Sequence, residues 1–308
     1  MKQKNRTKKN LLISIVILLW VLCAVISAAG CGPGSKEVLT EDVMIPNSEG
    51  TFTKAQITVP ADYETEKLPA VVLSHGFHGT MNSAGMKDLA YALAENGIAA
   101  IRMNFSHNLS ENPDSRQTNR YTVETMVSDQ VLCARYMTEH YNIDSQKIGV
   151  FGRSLGGRAA MTLVNESAGG YDYKALVLVA PAGNQDAFQR YMGGDAKWEK
   201  FKREADEKGS VTYQGVVMTP SFFKNIEEYV PTETAYKYEH PVLVLYNTED
   251  NVVLPEAAVE CANSYKDHRL IEITSKKSPH GLEMGMKDSE IREILFKDII
   301  AFYQKNLV

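Results

Sequence analysis

Gly152-Arg153-Ser154-Leu155-Gly156 lies between a short apolar run (Ile148, Val150, Phe151) and a stretch with helical spacing, and it spells G-x-S-x-G. A strand that turns sharply into a helix places the middle side chain of such a pattern on a strained corner. Glycine is needed on either side, because the backbone there passes too close for a Cβ. Ser154 is therefore expected to stand above the end of a sheet, poised as a nucleophile. Five residues are a short pattern that recurs by chance, so its meaning depends on what surrounds it.

Outward from the corner, apolar strand-like runs alternate with helix-like stretches. Upstream, residues 70–74 are continuously apolar, and 83–96 place Met86, Leu89, Ala90 and Leu93 at helical spacing up to Gly97. A second buried-type strand follows at 98–103, then a helix at 122–141 through Val123, Met126, Val127, Val131 and Ala134, and 147–151 leads into the corner. Downstream come a helix to about 164, strands at 175–180, 242–246 and 270–274, a helix at 255–265 and a last amphipathic helix at 289–305. Residues 38–45 and 51–59 read as an antiparallel pair joined by 46–50. Alternation of this kind implies an α/β fold, with a mainly parallel sheet covered by helices on both faces. Residues 184–239 break the rhythm and are expected to form an inserted lid.

The composition is that of a globular protein, with 44% hydrophobic and 23% charged residues over 308 positions. The first thirty residues differ. Lys2, Lys4, Arg6, Lys8 and Lys9 precede an uncharged apolar run, the pattern of an export signal or a membrane anchor. Ala28-Ala29-Gly30-Cys31 resembles a bacterial lipobox, which makes Cys31 the candidate lipidation site and residues 31–37 a linker to one domain at 38–308. An uncleaved anchor and a secreted product are the other readings, and all three put the domain outside the cytoplasmic membrane. Beyond residue 30 the 33 basic residues drop by five to 28 against 38 acidic ones, so nucleic acid is not expected as a partner. Cys133 and Cys261 are expected as buried free thiols, and no metal-ligand spacing appears.

Acyl transfer by a serine needs a base, an acid to orient that base, and two amides to bind the oxyanion. Asp250 follows the strand at 242–246, with Glu249 as the competing acid, and His280 follows the last strand. His75-Gly76-Phe77-His78-Gly79 follows the strand at 70–74, which makes the backbone amides of Phe77 and Leu155 the expected oxyanion donors. His75 and His78 are tempting as bases, but a histidine in this loop more often shapes the turn. The order Ser154, Asp250, His280 is that of an α/β-hydrolase.

These residues resemble the α/β-hydrolase serine esterases, and most closely the bacterial cinnamoyl/feruloyl esterases, over roughly 68–305. The resemblance rests on His75-Gly76-Phe77, the elbow with Gly157, Thr248-Glu249-Asp250-Asn251-Val252-Val253 and His280. It implies an α/β-hydrolase fold and ester hydrolysis through an acyl-enzyme on Ser154, without a cofactor. The expected substrate is a small-molecule ester or amide. The same scaffold carries aminopeptidases and prolyl-oligopeptidase-like enzymes, so a serine peptidase is the second reading, and a non-catalytic binding lipoprotein the third. Arg153 and Leu155 depart from the His and Gln usual around the serine. Arg153 is expected to form a salt bridge beside the elbow rather than to meet a substrate carboxylate. Tyr213, Phe222, Phe223 and Tyr229 of the insertion fit either a pocket wall or the insertion's own core.

Overall fold

The computed structural model describes residues 37–47, 52–105, 121–184 and 186–308. The 1–30 segment, Cys31 and the turn at 48–50 lie outside the described residues. Among the described residues no helix is long and apolar enough to cross a membrane.

Eight strands form one sheet: β1 (Val38–Pro46), β2 (Phe52–Pro60), β3 (Leu68–Ser74), β4 (Ala99–Met103), β5 (Ile143–Arg153), β6 (Ala175–Val179), β9 (Val242–Asn247) and β10 (His268–Ile273), in the order β1-β2-β4-β3-β5-β6-β9-β10. β2 runs antiparallel to both β1 and β4, and every pair from β4 to β10 is parallel. This is the α/β-hydrolase fold.

The continuous apolar runs are explained by burial on both faces. Ala70 and Val72 of β3 join one apolar cluster, while Val71 and Leu73 join the other. Helix α1 (Met86–Glu95) and the last helix, α9 (Glu290–Leu307), cover one face, and α2 (Val123–His140), α3 (Leu155–Asn165) and α8 (Pro255–Asn263) cover the other. Thr122 caps α2, its hydroxyl accepting from Thr125 N–H while the Thr125 hydroxyl accepts from Thr122 N–H.

Most elements begin and end within two or three residues of the sequence expectation. β5 is longer, eleven residues rather than the five at 147–151, because Ile143 pairs with Leu68 ahead of a register shift. The polar Asp144-Ser145-Gln146 hides that start from an apolar-run reading. The helix expected from 83 opens with a single 3₁₀ turn, Ser83–Gly85.

Between β6 and β9 the chain builds α4 (Ala187–Tyr191), α5 (Asp195–Lys208), the hairpin β7 (Val211–Tyr213) and β8 (Val216–Met218), α6 (Pro220–Glu228) and α7 (Pro231–Thr234). Phe188, Trp198, Phe222 and Phe223 are buried here and belong to the same apolar cluster as the α2/α3 face of the sheet. The aromatic residues of the insertion thus divide: Phe222 and Phe223 are its core, while Tyr213 and Tyr229 are partly exposed.

Candidate active site

Parallel strands end on one side of the sheet, and the loops that leave β3, β5, β9 and β10 there carry His75–Gly79, Ser154, Asp250 and His280. Ser154 has φ +54° and ψ −122°, a strained conformation for a residue with a Cβ, and it sits between the last residue of β5 and the first of α3. The corner is tight. A Cβ on Gly156 would lie 2.2 Å from the His75 carbonyl oxygen, and one on Gly76 would lie 2.9 Å from Ser154 Cβ. These two glycines let the His75–Gly79 loop pass directly against the serine.

The loop also supplies donors. Among the described residues neither Phe77 N–H nor Leu155 N–H has a hydrogen-bond acceptor, and both flank Ser154 in space or in sequence. Two free amides beside a serine hydroxyl form an arrangement that could bind an oxyanion.

His280 Nδ1 lies 2.8 Å from Asp250 Oδ2. An ionised carboxylate can only accept, so Nδ1 carries the proton and Nε2 is left with a free lone pair. The other Asp250 oxygen accepts from Val252 N–H at 2.8 Å and Val253 N–H at 3.1 Å, which fixes the carboxylate in place. Glu249, the rival acid, is exposed, whereas Asp250 is buried. Among the described residues no hydrogen bond joins Ser154 Oγ to His280.

His75 is fully buried. Its Nδ1 lies 2.7 Å from the Gly76 carbonyl and its Nε2 accepts from Phe105 N–H at 3.3 Å, so the neutral ring shapes the turn. Burial lowers its pKa to about 4, against the usual 6.5. His78 is exposed on the rim of a cleft of about 610 Å³ that Phe77, Arg153, Asn251 and His280 also line.

Arg153 is a correction to the sequence reading. Among the described residues it has no ion-pair partner; instead Nη2 donates to the His280 carbonyl at 3.1 Å, and Nε is buried without an acceptor. Burial lowers its pKa, an effect that the nearby Asp250 charge opposes.

Two positioning residues escaped the sequence reading. Asn247, the last residue of β9, donates to the carbonyls of Ser275 at 2.7 Å and Pro279 at 3.0 Å, and accepts from Glu249 N–H and Ser275 N–H. It ties the acid loop to the histidine loop. Arg158, on α3, donates to the carbonyls of Ala182, Asn184, Ile226 and Tyr229 and so fastens both ends of the insertion to the elbow helix. The insertion also touches the His75–Gly79 loop: the Phe77 ring has Phe188, Tyr191, Tyr213 and Phe222 of the insertion around it, at centroid distances from 5.1 to 6.3 Å, with Tyr121, just ahead of α2, at 6.2 Å.

Fold and site together define a serine hydrolase of the α/β-hydrolase type. Residues 90–308 match the profile of the prolyl oligopeptidase family, and the chain belongs to that family. Over 104 residues it is 29% identical to a probable 2-oxo-3-(5-oxofuran-2-ylidene)propanoate lactonase of a Bradyrhizobium species, a match covering 32% of this chain and 41% of that protein's length. An uncharacterised 31.7 kDa protein of Escherichia coli is 25% identical over 224 residues, 62% of this chain and 75% of that one. Among solved structures, Est1E from Butyrivibrio proteoclasticus superposes with a TM-score of 0.65 at 20% identity, over 86% of this chain and 98% of its own. A puromycin-hydrolysing peptidase of Mycobacterium tuberculosis gives 0.66 at 17%, over 91% of this chain and 41% of its own. At these identities the structural likeness speaks for the fold alone.

Proposed function

We propose that the chain is a membrane-tethered, extracytoplasmic carboxylic-ester hydrolase working through an acyl-enzyme on Ser154. The observation that carries this reading is the strained Ser154 set among two free amides and the Asp250–His280 pair. His280 Nε2 takes the hydroxyl proton as Ser154 attacks the acyl carbonyl, and the Phe77 and Leu155 amides hold the oxyanion. The imidazolium, stabilised by Asp250, then protonates the leaving oxygen. A water activated by His280 releases the acid.

The cleft lining favours ester over aminopeptidase chemistry. No Asp or Glu lines it among the described residues, so a substrate's free ammonium group would lack a counter-charge. Membership in the prolyl oligopeptidase family keeps peptide cleavage as the second reading. The tether rests on the basic-then-apolar run at 1–30 and on Cys31.

A fluorophosphonate probe should label the wild type and not Ser154→Ala; labelling that persists in the variant refutes the nucleophile. On one preparation, p-nitrophenyl esters should turn over faster than aminoacyl or X-Pro anilides, and the reverse order would favour the peptidase. Cys31→Ala should abolish globomycin-sensitive processing, whereas unchanged processing would favour an uncleaved anchor.

A further inference from the structure

Arg153 stands next to the nucleophile, on the wall of the cleft, with most of its hydrogen-bonding capacity unused. The contrast with other arginines of the same molecule is informative. Arg158 is buried and satisfied by four carbonyls. Arg292 pairs with Asp88 at 2.8 Å. Arg102 is under-satisfied as well, but it is wholly enclosed beneath the chain at Met81 and Asn82. Arg153 alone among these four borders the cleft, and its one side-chain hydrogen bond to the described residues is that of Nη2 to the His280 carbonyl.

The guanidinium is half-buried in the cleft wall, with Nε enclosed and unpaired and no counter-ion among the described residues, and a carboxylate arriving in bidentate geometry would supply both an acceptor and a counter-ion. The surroundings favour such a guest. No carboxylate lines the cleft among the described residues, and His78 is its other basic wall residue beside the catalytic His280. The nearest negative charge, Asp250, is already committed to His280, Val252 and Val253. The domain as a whole is acidic, so its long-range field repels anions, and any preference for them must arise locally.

We infer that Arg153 is an anion-binding residue of the substrate site, selecting esters that carry a free carboxylate close to the scissile carbonyl. The inference rests on the ester-hydrolase reading of Ser154. The carboxylate reaches Arg153 from the acyl part or from the leaving group, and two pairs of probes separate these sources. Mono-p-nitrophenyl glutarate and its methyl ester place the charge on the acyl side. 3-Acetoxybenzoate and its methyl ester place it on the leaving group.

The readout is the ratio of kcat/KM for the acid to that for its neutral methyl ester, in the wild type, Arg153→Lys and Arg153→Met. Using the ratio cancels the loss of the bond to the His280 carbonyl, which affects both members of a pair. The wild type should prefer the acid of at least one pair by roughly ten- to a hundred-fold, the range of one charge-assisted contact. Arg153→Lys should keep part of that preference, and Arg153→Met should bring the ratio to near one or below. A wild-type ratio of one or less in both pairs overturns the inference, as does a preference that survives in Arg153→Met. In either case the methyl esters are still hydrolysed, so the ester reading stands. Hydrolysis of no member of either pair overturns both.

Discussion

Replacing His75 with Gln isolates one buried imidazole as a source of acid sensitivity. The folded ring takes up its second proton only near pH 4, because burial outweighs the help of the Gly76 carbonyl, while in the unfolded chain the group titrates near 6.5. Between these values the unfolded state binds more protons than the folded state, so stability falls as pH falls from 6.5 to 4, and this group adds no further loss below that. A gap of about 2.5 pH units corresponds to about 3 kcal/mol in full, of which roughly 2 kcal/mol is lost between pH 7 and pH 5. Gln keeps a donor for Gly76 O and an acceptor for Phe105 N–H but does not titrate. Urea unfolding followed by circular dichroism at pH 7 and pH 5 should therefore show a drop in unfolding free energy about 2 kcal/mol smaller in His75→Gln than in the wild type. Equal drops in the two proteins would mean that His75 is not held neutral, and the account of the turn would fail with it.

Asp250→Asn should lower kcat on a p-nitrophenyl ester by a factor on the order of 10⁴, because Nδ1 loses the acceptor that sets its tautomer; a loss below tenfold would transfer the role to Glu249. Asn247→Ala should destabilise the fold by about 3 kcal/mol and reduce kcat more than it raises KM, since buried groups of both catalytic loops lose their partner. Arg158→Met should cost about 4 kcal/mol and expose residues 187–237 to limited proteolysis before the sheet unfolds. Cleavage that begins only with global unfolding would count against Arg158 as the fastening of the insertion.

The sheet was legible because each central strand is buried on both faces and therefore apolar throughout, as in 70–74 and 242–246. The elbow was legible because close approach admits only glycine at 156, a constraint that shows directly in the sequence. Asp250 and His280 could be placed because each follows a strand that ends on the same side of the sheet. Arg153, Arg158 and Asn247 were not legible in this way. Their partners are backbone groups, which every residue has, so no pairing of side-chain types announces them. Arg153 invited a salt bridge because a charge in a sequence suggests its opposite, yet the fold places a carbonyl there instead. The one available signal for Asn247 was a polar residue ending an apolar strand three positions ahead of the acid.

Phe77 contributes its amide to one purpose and its ring to another, since the ring lies among residues of the insertion. The insertion is therefore not an interchangeable module. Grafting a different one between β6 and β9 would reset the packing around residue 77 and, through it, the direction of the amide proposed as an oxyanion donor. Recombination among relatives, in nature or in the laboratory, should succeed only when the His75–Gly79 loop travels together with its insertion. On the proposed mechanism, the loop and the insertion are thus inherited as a pair.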